Sequence, residues 1–208
     1  MNWDSRASSE DMEALWGRRE IQKEWTSTQQ EKGNVQFSHD ERKRVYISQK
    51  ELLAVAEIIF SKHFSTTKAF TPAVLCALAE VVSMRYVDGI GSKTGLMGID
   101  FETARRLYNE SSYKEYSIDT VMDLKNPFAS MYFAAAYLCW LSQYEDRERS
   151  SKFVIQGYLS GPQNAHLEEN MGPDYCKYLA ELSNYETMRK LISTVLSAYR
   201  EQESCTIM

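Results

Sequence analysis

The chain has 208 residues, of which 43% are hydrophobic and 25% charged, ordinary proportions for a globular domain with one full core. A formal charge of -5 offers no global attraction to a phosphate backbone or an anionic bilayer, so no nucleic acid partner is expected. No stretch reaches the ~18 apolar residues of a spanning helix, and the opening Met1-Asn2-Trp3-Asp4-Ser5-Arg6 lacks the apolar core of a signal peptide; both point to a cytoplasmic protein.

Residues 1–47 are polar, with acidic and basic side chains in near balance and few aliphatic residues, a composition expected of a disordered or loosely docked arm. Within it Met12, Leu15, Trp16, Ile21 and Trp25 recur at helical spacing, either as a docking stripe for a partner or as a face that packs on the protein's own body. Glu41-Arg42-Lys43-Arg44 reads as a solvated charge run rather than a nuclear address.

From Ser48 the pattern changes. Ser48-x-x-Glu51 is a capping box, and the apolar spacing of Leu52, Leu53, Ala56, Ile59 and Phe60 predicts a helix to about His63. Thr71-Pro72 opens a second helix running to about Tyr86. Gly89, Gly91, Gly95 and Gly98 then enforce a loop with tight turns. Asp100 can cap a helix through Leu107, and a short one is expected near Ile118–Met122. Asn126-Pro127 opens the most apolar helix, hydrophobic on nearly all sides and therefore central. A helix to Tyr158 stops at Gly161-Pro162, another spans Pro173–Leu182, and Ser183-x-x-Glu186 is a capping box for a last one. The fold class is all-α. The organisation is an arm (1–47), a helical domain (48–200) and a tail (201–208).

Cys76, Cys139, Cys176 and Cys205 lie far apart with no histidine at ligand spacing, so neither zinc nor a disulfide framework is expected, and no cofactor. Cys76 and Cys139 fall within apolar helical patterns and read as small buried hydrophobes.

Four segments, taken together, resemble the lytic transglycosylase domain of the goose-lysozyme-like fold. They are Ala77–Tyr86, the loop Ser92-Lys93-Thr94-Gly95-Leu96-Met97-Gly98, the helix Ala134–Leu141, and the turn Gly157-Tyr158-Leu159-Ser160-Gly161-Pro162, followed by Tyr175. The similarity covers roughly residues 71–185 and implies a lysozyme-like helical domain with a cleft lined by Tyr86, Gly95, Met97, Gly98, Tyr158, Gly161, Pro162 and Tyr175. It also implies a catalytic glutamate on the helix before the glycine loop. An ungapped register counted back from Gly95 puts Ser83 at that position, and a hydroxyl cannot protonate a glycosidic oxygen. Glu80, one turn earlier on the same helix, is the candidate for a relocated general acid/base. Gly98 is followed by Ile99-Asp100-Phe101, without the amide that the family carries here, and Leu159 stands where the family has Asn.

Cys205-Thr206-Ile207-Met208 matches a C-a-a-X box for farnesylation, and one prenyl chain would give weak, reversible membrane association. The resulting expectation is a divergent lysozyme-like protein that has lost peptidoglycan cleavage and binds a glycan or protein ligand in its cleft. The alternative is an active transglycosylase that uses Glu80.

Overall fold

A computed structural model describes residues 2–165 and 172–205, with side chains described as far as residue 197. It is predominantly helical, in keeping with the all-α expectation. Eight α-helices occur among the described residues: α1 (Ser9–Trp16), α2 (Arg19–Ser27), α3 (Gln49–His63), α4 (Pro72–Ser83), α5 (Phe101–Glu110), α6 (Pro127–Ser142), α7 (Ser151–Ser160) and α8 (Pro173–Cys205). Two short hairpins join them, β1 (Ser38–His39) with β2 (Val45–Tyr46) and β3 (Gly89–Ile90) with β4 (Lys93–Thr94). No helix among the described residues is long and apolar enough to cross a membrane.

Helix starts follow local chemistry. Ser48 accepts from the Glu51 backbone N–H while the Glu51 side chain accepts from the Ser48 N–H, completing the capping box of α3. Asn126 caps α6 through its side chain, with Pro127 at the first helical position. Apolar around its circumference, α6 lies at the centre with α3, α5 and α7 against it, while α4 lies between α3 and α8. Cys76 is fully buried and Cys139 half-buried.

Residues 2–47 are not the disordered arm that their polarity predicts. Trp3, Leu15, Ile21, Trp25, Val35 and Phe37 are buried in the same core as Leu52, Ile59 and Phe128. Polarity misleads here because a few large side chains do the packing, and both buried indoles find one acceptor. Glu51 Oε1 takes the Trp3 Nε1–H at 3.3 Å and the Trp25 Nε1–H at 2.7 Å. The carboxyl that caps α3 thus also anchors two points of the arm. Burial pushes its pKa up, while the Ser48 N–H and the indoles oppose that rise. Trp3 lies 4.7 Å from Phe37 and 6.3 Å from Phe128 between ring centroids, and the Trp3 N–H donates to the Val35 carbonyl, closing the arm on itself. Residues 2–47 and the helical body therefore form one hydrophobic unit rather than an arm and a domain.

Two helix boundaries also differ from expectation. Ser183 does not open a new helix; α8 runs unbroken through it, and the Ser183 carbonyl accepts from Thr187 Oγ1. Tyr178 and Tyr185, on either side of Ser183, are both buried, so continuous packing outweighs a local capping signal. The second helix stops at Ser83 rather than near Tyr86, because Met84 (φ 49°) and Arg85 (φ 66°) turn into the left-handed region. Arg85 is held there by the β2 side of the molecule: its carbonyl accepts from the Ile47 N–H and its Nη1 donates to the Ile47 carbonyl at 2.8 Å.

Candidate functional site

Three residues apart on α4, Glu80 and Ser83 serve different neighbours. Ser83 is fully buried and faces the glycine loop, its Oγ 2.6 Å from the Leu96 carbonyl and 3.0 Å from the Ala79 carbonyl. The loop is also held from α6, where Ser130 Oγ accepts from the Met97 N–H at 3.0 Å, and from α7, where the Tyr158 hydroxyl donates to the Met97 carbonyl at 2.8 Å. Burial pushes the Tyr158 phenol upward, keeping it a donor. Gly95 (φ +80°) permits this close approach, since a Cβ there would lie 2.1 Å from the Leu124 carbonyl oxygen. The structure thus brings together Ser83, Gly95, Met97 and Tyr158 as a packed junction whose polar groups satisfy one another.

Glu80 is buried, 8% exposed, beneath α8. Its Oε1 accepts from the Tyr185 hydroxyl at 2.7 Å and lies 3.4 Å from Gln49 Nε2. Arg85 Nε stands 2.9 Å from the same oxygen, though its N–H is not directed into a hydrogen bond, so the contact is one of charge. Lys177 Nζ reaches the Glu80 carbonyl at 3.2 Å. This carboxylate is the counter-ion of a guanidinium and the acceptor of a phenol. A general acid must instead hold a proton facing the leaving oxygen. Replacing Glu80 with Gln is expected to leave Arg85 uncompensated and to lower stability by about 1–3 kcal/mol, read as a shift in the urea midpoint.

Tyr86 meets the start of the glycine loop through its backbone, its carbonyl accepting from the Gly89 N–H at 3.1 Å. Its side chain belongs to a surface cluster with the β1–β2 hairpin, where its hydroxyl donates to Asp40 Oδ2 at 2.8 Å and accepts from Arg44 Nη2 at 2.6 Å. The Arg44 guanidinium lies 4.1 Å over its ring, and Tyr46 meets it edge-on. Desolvation by these neighbours would raise Asp40, but the Arg44 backbone N–H, the Tyr86 hydroxyl and the Arg44 charge prevail and hold it at about 2, below its ordinary 3.8. Because the folded value is depressed, the cluster's stabilisation is present above pH 3.8 and lost as pH falls towards 2. In a carboxyl NMR titration Asp40 is expected to titrate near 2, and to move upward in Tyr86→Phe.

Gly98 lies against the Lys93 side chain and Val82. Gly161 (φ +89°) ends α7 and Pro162 is buried beside Gly157. Tyr175 is half-buried against Tyr178. The side chain of Cys205 and residues 206–208 lie outside the described residues, and with them the farnesylation motif. Sequence reasoning missed Arg85 and Tyr185 as the partners of Glu80. Arg85 lies in the Ala77–Tyr86 segment and Tyr185 inside the Ser183-x-x-Glu186 box, but neither pattern gives them a role beside Glu80; the apolar spacing of α8 is the signal that Tyr185 is buried. Comparison with family models, curated proteins and solved structures finds no match for the chain.

Proposed function

We propose that this chain is a non-catalytic, lysozyme-like helical module that binds a glycan or protein ligand and does not cleave glycans. The observation that carries the reading is the engagement of Glu80 by Arg85 and Tyr185 under α8. The internal satisfaction of the glycine loop supports it, since Leu96 and Met97 spend their backbone groups on Ser83, Ser130 and Tyr158. A scaffold that keeps its packing glycines while its carboxyl is taken up by neighbouring side chains would have this arrangement.

The test is incubation of the protein with purified peptidoglycan and with chitooligosaccharides from pH 4 to 8, with products identified by mass and Glu80→Gln run beside it. No products are expected from either protein. Products from the wild type that vanish in Glu80→Gln would establish the second reading, a transglycosylase with Glu80 as general acid/base. The burial of Glu80 is the observation that favours that reading, because catalytic carboxylic acids are commonly desolvated.

A further inference from the structure

The surface between α2 and residues 186–197 of α8 forms a continuous groove. Two hollows of about 720 and 700 Å³ meet at Glu20, Ile192 and Leu196. The first hollow is walled mainly by charged and polar side chains and the second mainly by Leu191, Ile192, Val195 and Leu196; of these Leu191 and Val195 are 62% and 52% exposed, the first being the most exposed large apolar side chain described. Leu191 and Val195 thus stand in the wall of the groove that they would enter in a second copy, an arrangement that a two-fold axis can satisfy.

The charges around the groove have the same property. Glu20 and Lys23 on α2, and Glu186 and Lys190 on α8, form no ion pair among the described residues. Each pair is spaced by about one helical turn. When α8 of a second copy lies antiparallel to α2, its Lys190 falls opposite Glu20 and its Glu186 opposite Lys23. Both contacts have opposite signs, and the parallel arrangement would oppose like charges.

We propose that this groove is an isologous dimer interface, each copy seating Leu191 and Val195 in the α2–α8 groove of the other, with Glu20–Lys190 and Lys23–Glu186 pairs at its rim. The inference does not depend on whether Glu80 is catalytic.

The test is sedimentation velocity of the full chain over roughly 1–200 µM. A monomer–dimer equilibrium is expected, with Val195→Glu weakening it by at least about tenfold and each of Glu20→Lys and Lys190→Glu weakening it by several-fold. Thermal melting of each variant is recorded alongside; the substituted side chains are at the surface, so the folded state is expected to persist. Mixing the Glu20→Lys and Lys190→Glu chains is expected to restore dimerisation, since each heterodimer regains both opposite-sign contacts, a rescue that no contact within one chain can produce. A monomer throughout the range would overturn the proposal and leave the groove to a different partner. So would a dimer indifferent to Val195→Glu, or singles that mixing fails to rescue.

Discussion

A chain that begins at Ser48 is expected to lose cooperative folding, with a broad or absent thermal transition by circular dichroism where the full chain melts sharply. The residues removed include Trp3, Leu15, Ile21, Trp25, Val35 and Phe37, each at most 2% exposed. Burying one large apolar side chain contributes roughly 1.5–3 kcal/mol, so six of them approach or exceed the ~5–15 kcal/mol by which a domain of this size is stable. The truncation also strips both indole donors from Glu51 and turns the Ser48 N–H that bonds its other oxygen into a free amino terminus. A milder probe is Trp3→Ala, expected to cost about 3–5 kcal/mol through the cavity left against Phe37 and Phe128. A truncated chain with the melting temperature of the full one would return residues 1–47 to the status of an independent arm.

Gly95→Ala is expected to destabilise the fold by about 3–5 kcal/mol in urea, far more than Gly91→Ala at about 1 kcal/mol. Both glycines have positive φ, +80° and +63°. They differ in what a methyl group would meet. At Gly91 nothing lies within 4 Å, so only the backbone preference is violated. At Gly95 the Cβ would stand 2.1 Å from the Leu124 carbonyl oxygen and 2.9 Å from Ser130 Oγ, the oxygen that receives the Met97 N–H. The backbone would have to retreat and take that hydrogen bond with it. Equal losses at the two positions would mean that conformation, and not close approach, governs the loop.

The sequence made the helices readable where their signals were local. The capping box at Ser48, Thr71-Pro72 and Asn126-Pro127 each mark a start that the structure retains, because a cap depends on residues within one turn. Long-range partnerships could not be read in the same way. Glu51 was visible as the acid of a capping box, but nothing near it shows that two indoles 48 and 26 residues away converge on its other oxygen. Glu80 was singled out as a carboxyl on the right helix. Its surroundings are set by Arg85, in a backbone conformation that no composition predicts, and by Tyr185 from a helix 105 residues further on. Ser183 shows the reverse error: a valid local start signal was overridden by packing on both sides.

The convergence of Trp3 and Trp25 on Glu51 has an optical consequence. Of the four tryptophans, Trp3, Trp16 and Trp25 all belong to the first 47 residues, with Trp16 and Trp25 only 5.3 Å apart between ring centroids. Two of the three are shielded from water. Intrinsic emission is therefore weighted towards one corner of the molecule. A red shift on heating or in denaturant will register undocking of that corner, and its coincidence with the loss of helical ellipticity will report whether the two halves of the core part company together.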